Sequence, residues 1–123
     1  LLDRIDMVIG MAPISPGDIA QVPLGESSTT VAARVAQART RQRERGVSNA
    51  EEALDTLVPA LSQEALALAD RATTQLALSN RGYVRCLRVA RTIADLEESD
   101  VVERRHMAEA LTYRHRSRLA ALV

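Results

Sequence analysis

The lack of any Phe or Trp constrains this chain more than any other feature: its apolar residues are mostly Ala, Leu and Val, and its aromatics are Tyr83 and Tyr113. Ala and Leu are the strongest helix formers, and a core without large rings suits closely packed helices better than facing sheets. With 46% hydrophobic residues over 123 positions, the chain is too apolar to stay disordered and long enough for one domain with a modest core. The expected fold class is all-α, a small bundle of about four to five helices preceded by a short extended N-terminal segment.

Caps and breakers divide the chain. Ser27-Ser28 supplies an N-cap and Gly46 a C-terminal stop, predicting a helix to about Arg45 with Val31, Val35 and Ala38 on one face. Ala50–Leu57 predicts a short helix ended near Pro59. Ser62 caps a helix over Gln63–Leu78, whose buried stripe is Leu66, Ala69, Ala72 or Thr73, and Leu76. Ser79 or Asn80 caps the next, to about Glu98, with Tyr83, Cys86, Leu87, Ala90, Ile93 and Ala94 on one face. After the acidic turn Glu97-Glu98-Ser99-Asp100, Glu103–Arg114 reads as the last helix, burying Met107, Ala110 and Leu111, with a continuation through Arg118–Val123 left open.

Ahead of the helices, Ile5, Met7 and Ile9 alternate with Asp6 and Val8, which suggests a short strand over Leu1–Met11. A single strand is not stable, so this segment is expected to be disordered or to borrow a partner from another copy. Ala12–Glu26, with Pro13, Pro16, Gly17, Pro23 and Gly25, reads as a linker. The chain opens on Leu1-Leu2-Asp3 rather than Met, so upstream sequence is expected.

Several function classes are disfavoured. All sixteen basic residues are Arg, balanced by sixteen acidic ones, so there is no net basic footprint for autonomous nucleic-acid binding. Without Lys no P-loop can be written, and the chain cannot be a complete P-loop ATPase. The single Cys86 excludes an internal disulfide and reads as a core residue, and no metal site is expected. His106 reads as a solvated or half-buried polar residue, and neither it nor His115 can be placed near Cys86 from sequence. No leader-like segment or apolar run of ~18 residues occurs, so no membrane contact is expected and a cytoplasmic, reduced protein is. The polar helix end Arg39–Arg45 is either a solvated terminus or a partner-facing arm. In the latter case the chain would be a stand-alone interaction or nucleic-acid-binding adaptor.

Arg81 carries the sharper signal. It stands in the first turn of a helix, where the dipole opposes a cation, yet a guanidinium beside free backbone N–H groups favours a phosphate. Arg85 and Arg88 follow away from the apolar stripe.

The stretch SNRGYVRCLRVARTIADLEES (79–99), followed by HMAEALTYR (106–114), resembles the C-terminal part of the magnesium-chelatase-like AAA+ proteins of the ComM/YifB group. LLDRID (1–6) is similar to the group's motif at the end of its ATPase core, and the middle matches loosely. The resemblance implies that residues 1–26 are the core's last strand and a linker, and 27–123 a lid of the AAA+ type. It implies a sensor-2 role for Arg81, contacting the γ-phosphate of bound nucleotide, and an arginine-finger role for Arg4 in a neighbouring subunit. Such a finger is worth ~10³–10⁵ in rate. Arg85 and Arg88 are assigned first to salt bridges or interfaces. ATP and Mg²⁺ would be cofactors of the full-length parent, with none in this piece, which lacks the P-loop, acidic and sensor-1 motifs and is not catalytic alone. The implied partners are the missing AAA+ core of the same chain, neighbouring subunits of a hexamer, and DNA through the parent. Branch migration belongs to ComM-like members and porphyrin metal insertion to true magnesium chelatases; the motif match favours the former.

Overall fold

The computed structural model describes residues 4–114. Leu1–Asp3, His115 and the continuation considered for Arg118–Val123 lie outside the described residues. Among the described residues the chain is helical, in the order α1 (Pro16–Ile19), α2 (Ser28–Arg45), α3 (Leu54–Leu57), α4 (Gln63–Gln75), α5 (Asn80–Leu96) and α6 (Arg104–Thr112). A 3-10 turn, Val58–Ala60, joins α3 to the approach to α4. The all-α expectation holds.

The caps read from sequence set the helix starts. Ser27 Oγ accepts from Thr30 N at 3.1 Å, Ser62 Oγ from Ala65 N at 3.1 Å, and Ser79 Oγ from Gly82 N at 3.0 Å. Each such cap is worth ~1 kcal/mol. Gly46 stops α2 with φ 84° and donates to the Gln42 and Arg43 carbonyls. After α4 and α5 the chain turns instead through Ala77 (φ 51°) and Glu98 (φ 58°), so two ordinary residues occupy the left-handed region. The Ala77 turn ends α4 at Gln75, earlier than the predicted Leu78. The short third helix begins at Leu54 rather than Ala50.

Helix α5 is the centre of the bundle, packed on α2, α3, α4 and α6, and α4 also packs on α6. The core joins Leu68, Ala69 and Ala72 of α4 and Leu76 just past it to Cys86, Leu87, Ala90 and Ala94 of α5 and Met107, Ala110 and Leu111 of α6, closed by Leu57 and Val102. Ala at the facing positions lets these helices approach closely, as expected of a core filled by aliphatic side chains. Two backbone bonds pin the loops before α4 and α6 together: Ser62 N to Val102 O at 2.9 Å and Val102 N to Ala60 O at 2.8 Å.

Three expectations fail. The buried leucine of α4 is Leu68, whereas the expected Leu66 stays half-exposed. The stripe Val31–Val35–Ala38 does not enter the core: Ala38 is buried, but Val31 and Val35 remain 39% and 44% exposed, because α2 meets α5 only through its C-terminal half. The N-terminal segment forms no strand among the described residues, and it neither hangs loose nor needs a second copy. It docks on the bundle's own helices through Ile5, Asp6 and Val8, since Arg85 of α5 pairs with Asp6 while Tyr113 and Arg114, just past α6, meet its backbone.

Candidate functional site

The four Arg residues of α5 have different fates. Arg85 pairs with Asp6. Arg88 donates to the Glu52 carbonyl from Nε at 3.1 Å and Nη2 at 3.0 Å. Arg91 is buried and donates to the Asp100 carbonyl at 3.1 Å. Its pKa is lowered, by burial first and then by the nearby Arg45. Arg81 is exposed, and no hydrogen bond or ion pair engages it among the described residues. Ser79 takes the N–H of Gly82 with its hydroxyl and that of Tyr83 with its carbonyl, and among the described residues the N–H groups of Asn80 and Arg81 make no hydrogen bond. The expected salt-bridge role holds for Arg85, whereas Arg88 binds a backbone carbonyl.

The chain ends converge on this same turn. Arg114, just past α6, donates from Nη1 to the Ile5 carbonyl at 2.6 Å, and Val8 N donates to the Tyr113 carbonyl at 2.6 Å. The Arg114 guanidinium lies over Gly82: a Cβ at that position would stand 3.2 Å from Nη2 and 3.4 Å from Nε. Arg4 is exposed and immediately precedes Ile5. Arg4 and Arg81 are therefore each one residue removed from the Ile5–Arg114–Gly82 contact. Cys86 is buried one turn further along α5, and burial pushes its thiol up to about 11. A groove of about 420 Å³ opens alongside, between Asp6–Met7, the α5 face of Arg85, Val89 and Ile93, and Tyr113.

Sequence reasoning placed Arg39–Arg45 as solvated or partner-facing; the structure splits that run. Arg45 grips the buried Asp95 with Nη1 at 2.8 Å and Nη2 at 2.7 Å, and the Asp95 pairing raises the Arg45 pKa. Arg41 bonds Asp100. Asn49 adds a bond to Asp95 at 2.8 Å, and the buried Gln42 accepts from Asn49 N at 2.9 Å. These polar groups fasten α2 and the following loop to α5. Arg39 and Arg43 stay exposed.

His106 is not half-exposed but fully buried. Its Nδ1 accepts from Glu103 N at 2.9 Å, closing the cap of α6, while Nε2 lies 2.7 Å from Glu97 Oε2. A lone His in a first turn does not by itself announce that it caps an N–H three residues back, and its second partner, Glu97, lies nine residues away at the end of α5. Among the described residues no group of His, Cys, Asp or Glu is placed to hold a metal, and no helix is long and apolar enough to cross a membrane.

Comparison with known proteins gives a consistent match. Residues 25–114 match the family described as magnesium chelatase, subunit ChlI C-terminal. The chain is 38% identical over 124 residues to the protein named "Uncharacterized protein YifB" of Escherichia coli (strain K12), and 36% identical over 122 residues to its Salmonella typhimurium counterpart (strain LT2). It is also 36% identical over 123 residues to "Competence protein ComM" of Haemophilus influenzae. Each match covers 96% of this chain and 24% of the relative, so the chain spans about a quarter of the length of the curated relatives it matches.

Proposed function

The chain belongs to the magnesium chelatase ChlI C-terminal family, as the C-terminal region of a ComM/YifB-like protein, and from that premise we propose that it is the lid of a cytoplasmic AAA+ ATPase. In this reading residues 1–26 end the ATPase core and link it to the lid, and 27–123 form the lid. Arg81 is the sensor-2 residue and Arg4 the arginine finger offered to a neighbouring subunit of a hexamer. One observation carries the reading: of the four Arg residues on α5, Arg81 alone is exposed and without a hydrogen-bond or ion-pair partner among the described residues, and it stands beside two open N–H groups. A cation and aligned donors at a helix start suit an anion.

The residues present fit a phosphate group. They do not supply Mg²⁺ ligands among the described residues, so this reading assigns Mg²⁺ and most of the ATP contacts to the core. The nucleotide, when bound, supplies the phosphoryl group that is transferred. The part played here is to hold a planar cation at that group's oxygens, an interaction worth more as charge spreads in the transition state. Remodelling of DNA is the assigned work, on the ComM-like character of the RGYVRCLRVARTIADL stretch.

In the full-length protein, Arg81→Ala is expected to lower ATP turnover on the order of 10²–10³-fold. Unchanged turnover would remove the sensor-2 assignment. Arg4→Ala is expected to lower kcat while nucleotide affinity stays near wild type, because a finger acts on the transition state. A loss confined to affinity would point elsewhere.

A further inference from the structure

Gly82 and Arg114, which the phosphate roles proposed above leave unused, meet at the start of α5. Gly82 is buried in the first turn of α5 and has no left-handed backbone to explain it. Its reason is space. The Arg114 guanidinium crowds the position a side chain would need, with Nη2 3.2 Å from a Cβ built there and Ser79 Oγ at 3.3 Å. From that seat Arg114 reaches the Ile5 carbonyl at 2.6 Å. Two further ties fasten the same short segment: Asp6 to Arg85, and Val8 N to the Tyr113 carbonyl at 2.6 Å. Four residues, Ile5 to Val8, are thus held at three points by the starts and ends of helices.

We infer that Arg114 is a positioning residue: seated on Gly82, it clamps the segment that carries Arg4 onto the turn of α5 that carries Arg81, so that the two cations are held in a fixed relation. The inference rests on the phosphate roles proposed for Arg4 and Arg81. A planar guanidinium suits the task because it can lie flat on a glycine backbone while one of its N–H groups bonds a carbonyl edge-on. Asp6 and Arg85 add a second tie that resists sliding along α5. While the clamp is closed, the end of the core that carries Arg4 and the lid turn that carries Arg81 would move as one.

The test is steady-state ATP turnover by the full-length protein, with kcat and KM for ATP measured separately. Arg114→Met keeps the bulk and removes the donors; it is expected to lower kcat on the order of 10–100-fold, the scale of a misplacement of about 1 Å, with KM within about threefold. Arg114→Lys, which restores one donor, recovers part of the loss. In an Arg4→Ala background Arg114→Met costs little more, because the cation whose placement the clamp sets is already gone. Asp6→Asn, on an exposed part of the segment, lowers kcat more mildly and keeps the test open if Arg114→Met impairs folding, which a thermal melt reports. Loss with Arg81→Ala but none with Arg114→Met or Asp6→Asn overturns the clamp and leaves the phosphate role standing. A fully additive double variant overturns it also. No loss with Arg81→Ala overturns the phosphate role first.

Discussion

Replacing Asp95 by Ala is the perturbation that best measures what holds α2 to the bundle. The Asp95 side chain is 0% exposed and accepts from Arg45 Nη1 and Nη2 at 2.8 and 2.7 Å and from Asn49 Nδ2 at 2.8 Å, with Arg41 Nε 3.9 Å away. Truncation removes three bonds and leaves Arg45 and the buried Arg91 to share Glu52 as their nearby counter-charge. Breaking a buried pair from one side costs about 3–5 kcal/mol. Arg45 keeps 24% of its side chain exposed, and Asn49 keeps its bond to Thr92 Oγ1 at 3.0 Å, so the lower end applies. For a domain of this size ~3 kcal/mol corresponds to a fall in Tm of roughly 12–24 °C. Circular dichroism at the helix band, by heating and by urea, reads it. Asp95→Leu with Arg45→Met should regain most of the loss, because an apolar pair leaves no orphaned charge. A fall below about 1 kcal/mol, or a double variant no better than Asp95→Ala, would show that α2 is held by apolar contact alone.

Three further outcomes follow from particular residues. Ala77→Gly relieves a left-handed residue on an exposed turn and should stabilise the domain by roughly 0.5–1 kcal/mol, raising Tm by a few degrees; an unchanged or lower Tm refutes the strain. Cys86, with its thiol raised to about 11, is thiolate at only ~10⁻³ at pH 8, so a disulfide reagent should label the folded domain far more slowly than the urea-unfolded one; equal rates would refute its burial. His106 and then Arg105 hold the Glu97 carboxyl below its usual 4.5. A carboxylate lowered on folding stabilises fully above its unfolded value and loses that contribution as pH falls through the folded one. The stability gap between wild type and Glu97→Gln should therefore be constant above about pH 4.5 and shrink below it; a gap that widens in acid contradicts the pairing.

Much of the bundle was legible because its signals are local. A serine hydroxyl three residues before an N–H caps a helix whatever surrounds it, and Ser27, Ser62 and Ser79 all do so. The stripes of α5 and α6 were legible for the same reason: Cys86, Leu87, Ala90, Met107, Ala110 and Leu111 repeat at the helical period and are buried. What escaped depends on partners far along the chain. Arg45 and Asp95 are 50 residues apart and Arg114 and Ile5 are 109 apart, so no window of sequence shows either pairing. Gly82 was visible as a glycine in a first turn, but the guanidinium packed against it was not. Val31 and Val35 illustrate the opposite failure, in which a correct helical period named a face that nothing in the described residues covers.

That uncovered stretch makes α2 two helices in energetic terms. From Ala38 onward its residues are anchored through Gln42 and Arg45, whereas no residue from Ser28 to Gln37 is buried. A free-standing stretch of that length is marginal in water, because helices shorter than ~12–15 residues are barely stable without packing. Amide protons should then exchange on two scales along one unbroken rod: quickly before Ala38, through fraying that leaves the bundle intact, and beyond it only when α2 detaches from α5. The rod yields at a fixed point with neither Pro nor Gly to mark it.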